Sequence, residues 1–121
     1  MTRAAPPNSI RKIAHDARGV RYEIDVGLDT VQVVVSFHAL SRARRWHVDL
    51  DNVLGTLVAP EEVLRGHHGR FIAHRRDDSR LVRVVYEYDG RAPFVVTVYR
   101  PSAARYFEGK NTHEDHVLSR R

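Results

Sequence analysis

The last third of the chain carries polar side chains whose types match the needs of RNA cleavage without a metal ion. Such cleavage needs a base for the 2′-hydroxyl proton, an acid for the leaving oxygen and a cation for the charge on phosphorus. Because side chains alternate between the two faces of a strand, period-two spacing predicts one shared face. The residues on it are His74, Arg83, Glu87, Thr97 and Tyr99.

A histidine at the end of an apolar strand, His38, is a further candidate base. It precedes a predicted helix rich in arginine, and neighbouring cations lower the pKa of a histidine and favour its neutral form. Either His38 or Glu87 is therefore expected to take the 2′-hydroxyl proton. His74 is the reserve acid in this scheme. Thr97 and Tyr99 are expected to orient the phosphate or the base.

The charge balance points to a polyanionic partner. Lys and Arg number 20 against 15 Asp and Glu, which gives a formal charge of +5 and a pI near 10.1. All but two of the basic residues are arginines, whose planar guanidinium makes bidentate contacts with phosphate. RNA is the expected partner, although scattered arginines also serve simply to solvate a surface. The predicted RNA-binding set is Arg42, Arg44, Arg45, Arg70 and Arg76.

Other classes of chemistry find little support in the sequence. With no cysteine there is no disulfide, thiolate zinc site or cysteine nucleophile, which fits a cytoplasmic protein. The apolar runs are far shorter than the ~20 residues of a membrane helix, and the first residues are not expected to form a secretory signal. The pairs His67-His68 and His113-x-x-His116 offer no third ligand at a diagnostic spacing. We expect no membrane, metal or cofactor.

Hydrophobic periodicity predicts helices near 10–17, 39–47, 50–57 and 60–65, and strands near 20–26, 31–37, 70–76, 80–88 and 93–99. Ser9 and Asp49 are expected helix caps, Gly19 a helix stop, and Pro60 a first helical residue. The predicted fold class is α+β, a twisted antiparallel sheet of about five strands with short helices packed on one face. Residues 9–101 form the single predicted domain, after a flexible arm (1–8) and before a polar tail (102–121).

Alternation also predicts which strand residues pack on the helices. In the strand near 80–88, the apolar positions 82, 84 and 86 are expected in the core. In the last strand Phe94, Val96 and Val98 are expected in the core, which leaves Val95 on the other face. There it would join Leu81 and Val85 in an apolar patch suited to a protein partner.

Six short motifs follow one another along the chain: His38-Ala39-x-x-Arg42, Val48-Asp49-x-x-x-Val53-Leu54, Pro60-Glu61-x-Val63, Gly69-Arg70-x-Ile72-Ala73, Leu81-x-Arg83-Val84-Val85-Tyr86 and Val96-Thr97-Val98-Tyr99. In this order they resemble domain-of-unknown-function family 4258, small proteins similar in fold to RelE-like and barnase/colicin-like ribonucleases of toxin modules. The resemblance covers roughly half of the chain, within residues 31–100.

The resemblance implies a microbial-RNase-like, RelE-like fold and an RNA-cleaving toxin. It points at His38, Arg42, Arg83 and Thr97, and it implies an antitoxin or immunity protein as partner. Trp46-His47-Val48 stands where the family has Arg-Gly-Ile, so Arg45 would replace the family's arginine one residue early. The leading prediction is a metal-independent endoribonuclease, a cytoplasmic toxin-type hydrolase. Two alternatives stay open: a non-catalytic nucleic-acid-binding module, and a protein-interaction module derived from this fold.

Overall fold

Seven strands and two helices follow one another in a computed structural model that describes residues 9–103. Their order is β1 (Ser9–His15), β2 (Gly19–Val26), β3 (Asp29–Ser36), α1 (Phe37–Arg45), α2 (Leu50–Val58), β4 (Glu62–Arg65), β5 (Phe71–Asp77), β6 (Arg80–Asp89) and β7 (Ala92–Tyr99). The predicted arm and the tail from position 104 onward lie outside the described residues. Neither helix within residues 9–103 is long and apolar enough to cross a membrane.

The strands form one mixed sheet in the order β1-β2-β3-β7-β6-β5-β4. The predicted five-stranded antiparallel sheet is therefore wrong. Strands β1–β3 and β4–β7 are two antiparallel meanders, and parallel pairing joins them where Val34 and Val35 lie opposite Phe94 and Val95. The pairing is parallel because the chain leaves β3 through two helices and three further strands before β7 returns beside it.

The first predicted helix is wrong, since residues 9–15 form the edge strand β1. Ser9 and Arg11 cross to β2: the Arg11 guanidinium lies 2.9 Å from the Asp25 carboxylate and 3.0 Å from that of Glu23. Backbone pairing with β2, together with these cross-strand ion pairs, overrides a weak local helical pattern. Gly19 is likewise no helix stop but the first residue of β2, where an added Cβ would lie 2.1 Å from the Val35 carbonyl oxygen.

The fourth predicted helix is also wrong, because residues 62–65 form strand β4. Val63 and Leu64 lie opposite Ala73 and Ile72 of β5, and the Glu61 backbone N–H donates to the His74 carbonyl oxygen at 2.9 Å. Pro60 and the two glutamates after it favour the start of a helix, but this preference comes only from residues close in sequence. Pairing with β5 supplies a full ladder of backbone hydrogen bonds instead.

Both central helices are confirmed, as are the five predicted strands. Asp49 caps α2 as predicted, its carboxylate accepting from the Asn52 N–H at 2.8 Å. Ser36 caps α1: its hydroxyl accepts from the Ala39 N–H and donates to the Val96 carbonyl oxygen on β7. This one side chain therefore fixes the start of α1 against the middle of β7.

The two helices pack on one face of the sheet, here called the helix-side face; the opposite one is the far face. Buried apolar side chains of both helices and of β2, β3 and β5–β7 form one core on the helix-side face. Positions 82, 84 and 86 belong to it, as predicted. In β7 the prediction fails, because a bulge between the pairs Val85–Thr97 and Tyr86–Val95 inserts an extra residue. Val95 joins Val98 in the core, and Phe94 does not.

Candidate active site

Four side chains form a row across the far face of strands β4–β7. Glu62 lies opposite His74, His74 opposite Arg83, and Arg83 opposite Tyr99. Directly opposed residues of antiparallel strands point to the same face with Cβ atoms about 5 Å apart. Three strand spacings of about 4.8 Å make the row roughly 14 Å wide. Register alone thus brings a carboxylate, an imidazole, a guanidinium and a phenol side by side.

The buried member of the row is His74, which is 4% exposed. Its Nε2 lies 3.1 Å from a Glu62 carboxylate oxygen. Burial lowers the pKa of His74 below its ordinary value, and the Arg83 charge lowers it further, while Glu62 and Glu61 act in the opposite direction. His74 is therefore neutral at pH 7, and its Nε2–H donates to Glu62.

The accessible carboxylate of the row is that of Glu62. Its side chain is 40% exposed, whereas the His74 side chain that holds it is 5% exposed. A carboxylate fixed from behind by a buried hydrogen-bond donor and open to solvent in front has the geometry of a general base. The His74 side chain is buried behind Glu62, so its position allows it to orient this carboxylate but not to contact a bound molecule itself.

The other half of the row joins a cation to a phenol. The Arg83 guanidinium carbon lies 5.4 Å from the centre of the Tyr99 ring, within cation–π range. Both side chains are half-buried. Thr97 lies two residues before Tyr99, opposite Val85, and so borders the row on the same face. The structure thus brings together four of the predicted residues: His74, Arg83, Thr97 and Tyr99.

Glu87 is on the far face but away from the row. It lies four residues beyond Arg83 along β6, about 13 Å at 3.3 Å per residue. Its carboxylate accepts from Arg70 Nε at 3.1 Å, so two predicted site residues are engaged with each other. Arg76 lies two residues beyond His74 on β5, and its backbone N–H donates to Glu61 at 3.2 Å.

The predicted basic cluster and His38 belong to α1, which lies chiefly against β7. His38 is exposed in the first turn, and Arg42, one turn later, is half-buried. Arg44 and Arg45 are exposed in the last turn. Within residues 9–103 no hydrogen bond or ion pair joins His38 to the row. Trp46 ends α1 and packs against the core rather than taking a phosphate-facing position.

Glu62 is the site residue that sequence reasoning missed, because Pro60 and the carboxylates after it favour a helix over positions 60–65. The four residues show no apolar–polar alternation in sequence; half-buried Glu62 and Leu64 alternate with exposed Val63 and Arg65 only in the folded strand. The predicted apolar patch for a protein partner is also wrong, since Leu81 and Val95 are 1% and 0% exposed.

Metal ligands do not cluster in the described part of the chain: no group of three or more His, Asp or Glu side chains there could hold an ion. His67 and His68 lie in the turn between β4 and β5, with ring centres 6.0 Å apart. The pair His113 and His116 lies outside the described residues.

Comparison with known proteins gives no relative from which to transfer a role. No protein-family model, no curated protein and no solved structure matches this chain. The resemblance to family 4258 therefore stays a prediction, and the site geometry carries the functional argument.

Proposed function

We propose that this protein is a metal-independent endoribonuclease that cleaves RNA by attack of the 2′-hydroxyl on the neighbouring phosphorus. The observation that carries the proposal is the cross-strand row Glu62–His74–Arg83–Tyr99. It offers an accessible carboxylate, a fixed cation and a phenol within one substrate-sized stretch of sheet. The formal charge of +5 supports a polyanionic substrate.

In this mechanism Glu62 takes the proton of the 2′-hydroxyl, and the 2′-oxygen forms a bond to phosphorus. The Arg83 guanidinium stabilises the negative charge that develops on the phosphoryl oxygens. The bond to the 5′-oxygen then breaks, and the Tyr99 hydroxyl gives its proton to that leaving oxygen. Glu62 and Tyr99 lie at opposite ends of the row with Arg83 between them, which supports roles as base and acid on opposite sides of the phosphorus. The products carry 2′,3′-cyclic phosphate and 5′-hydroxyl ends.

We extend the proposal to the setting of such an enzyme: a toxin that acts on cytoplasmic RNA and is held inactive by an antitoxin. Its support is the motif resemblance between His38 and Tyr99. Induced expression in a bacterial host is expected to arrest growth, and the Glu62→Gln variant is expected to permit it. Normal growth on induction of the wild type would contradict the toxin role, and equal arrest by Glu62→Gln would contradict the role of Glu62 in it.

The direct test is cleavage of a fluorophore–quencher RNA oligomer by purified protein in excess EDTA. Glu62→Gln is expected to lower the rate by about 10²–10⁴-fold, the usual loss for a general base. Arg83→Gln is expected to lower it by about 10²–10³-fold, as for one electrostatic donor. Glu23→Gln is the matched control: the same change on β2, at a carboxylate that pairs with Arg11 away from the row, leaves the rate unchanged.

Two results would overturn the proposal. One is full activity of folded Glu62→Gln and Arg83→Gln proteins, with folding checked by circular dichroism. The other is cleavage that stops in EDTA and returns with a divalent ion. RNA binding without cleavage in the wild type would favour the non-catalytic nucleic-acid-binding module instead.

A further inference from the structure

The turn between β4 and β5 forms an open pocket at one end of the sheet. Its volume is about 600 Å³, within the range of small-ligand sites. The wall contains two guanidinium groups, two imidazoles and one phenyl ring but no carboxylate. The lining residues are Arg65, Gly66, His67, His68, Gly69, Arg70 and Phe71.

The pocket has an excess of positive charge. The Arg70 guanidinium is neutralised by Glu87 at 3.1 Å. Arg65 is exposed and makes no ion pair with any residue between positions 9 and 103. The imidazoles of His67 and His68 add hydrogen-bond donors at the rim. An anionic group in the pocket would therefore meet one uncompensated guanidinium and two imidazoles.

An aromatic surface continues from the pocket wall. Arg65 lies opposite Phe71, and Phe71 opposite Tyr86, so these three side chains stand in register on the helix-side face. The Phe71 ring stacks on Tyr86 at 5.5 Å and meets the edge of Tyr88 at 6.0 Å. Tyr88 is 56% exposed. A large aromatic ring is thus held open to solvent beside a cationic pocket.

We propose that this pocket and ring form a binding site for single-stranded RNA. A base stacks on Tyr88, and the adjoining phosphate lies between Arg65 and the His67–His68 turn. Aromatic stacking next to backbone-binding cations is how single strands are held without a sequence code. The inference rests on the proposed function only in naming RNA as the ligand.

The RNA-binding site lies where a single RNA chain could also reach the row Glu62–His74–Arg83–Tyr99. Arg65 lies three residues from Glu62 on β4, about 10 Å along the strand. Because β4 is the edge strand, an RNA chain passes from the row to the pocket around that edge without crossing the sheet. The bases of duplex RNA are buried within the helix and cannot stack on the Tyr88 ring. We therefore expect the site to prefer single-stranded RNA.

The test is fluorescence anisotropy with a labelled 2′-O-methyl RNA octamer, which keeps bases and phosphates but lacks the attacking hydroxyl. Tyr88→Ala is expected to weaken binding at least about fivefold, and Tyr88→Phe to retain it. Arg65→Gln is expected to reduce the log–log salt slope by about 0.7, one phosphate contact on a single strand. Arg21→Gln, on β2 across the sheet, is the charge-matched control and leaves the slope unchanged. A hairpin of the same sequence is expected to bind more weakly than the octamer.

The outcomes separate this site from the catalytic proposal. Unchanged affinity of folded Tyr88→Ala, or equal slopes for Arg65→Gln and Arg21→Gln, would overturn the site even if the enzyme cleaves RNA. Absence of any binding to the octamer by the wild type would overturn it as well. Weakened binding by Tyr88→Ala in a protein that cleaves nothing would support the site and refute the ribonuclease.

Discussion

The buried histidine of the row is expected to make the stability of this protein depend on pH. Burial and the Arg83 charge hold the pKa of His74 below its ordinary value. Between that lowered pKa and about 6.5, the unfolded chain binds a proton at His74 that the folded protein does not. The corresponding stability is fully present above pH 6.5 and decreases as the pH falls towards the lowered pKa. Below it both states are protonated and the decrease stops.

The size of the effect follows from one proton. The free energy of unfolding changes by at most about 1.4 kcal/mol per pH unit for each proton by which the two states differ. In a domain of this size that corresponds to a fall in melting temperature of up to about 6 °C per pH unit. Glu62 and Glu61 are the carboxylates that act on the pKa of His74. The lowered pKa values of Asp16 and Asp25 affect stability only in more acidic solution.

Thermal melts followed by circular dichroism between pH 5 and 8, at constant ionic strength, measure this slope. The wild type is expected to lose stability below pH 6.5, and His74→Gln to lose most of that dependence. The control is the double variant His67→Gln/His68→Gln, which changes two exposed histidines. It is expected to keep the wild-type dependence of melting temperature on pH. Equal slopes for the wild type and His74→Gln would refute the assignment of the titration to this residue.

Two further predictions concern backbone packing and the basic helix. Gly19→Ala places a Cβ 2.1 Å from a backbone oxygen of β3 and is expected to lower the free energy of unfolding by about 3 kcal/mol, measured by urea denaturation. Gly66→Ala, whose Cβ would lie 3.6 Å from its nearest neighbour, is the control, and equal losses in both variants would contradict the packing argument. Replacing Arg42, Arg44 and Arg45 together by alanine is expected to flatten the salt dependence of RNA binding, by about 0.7 in the log–log slope for each phosphate that the cluster binds. An unchanged slope would mean that this cluster only solvates the surface of α1.

Local signals in the sequence were enough to predict strands β5–β7 of the second meander and both helices. Asp49 offers the carboxylate that an N-cap requires, and Asp89-Gly90 provides the turn between β6 and β7, with Gly90 at φ 67°. Both signals act through atoms only a few residues apart. The alternation that put His74 and Arg83 on one face is equally local. Three members of the row were therefore predictable from residue types and spacing.

Long-range pairing decided what those signals could not. Residues 9–15 and 62–65 carry weak helical patterns, and each became an edge strand because a neighbouring strand offered backbone partners. The parallel join of β3 to β7 depends on where the chain returns after the two helices and three strands between them. A single extra residue in β7 exchanges the faces on which Val95 and Phe94 lie. A period-two pattern cannot predict this exchange, because it assumes strict alternation without a bulge.

For the row, too, sequence periodicity predicted some features and only the tertiary structure decided the others. Sequence periodicity determined that His74, Arg83 and Tyr99 share a face, because alternation is a property of each strand alone. Only the tertiary structure placed Glu62 3.1 Å from His74, because this contact depends on the register of β4 on β5, which the turn between them sets. The sequence thus supplies the carboxylate of the candidate base Glu62, and strand pairing determines where that carboxylate lies.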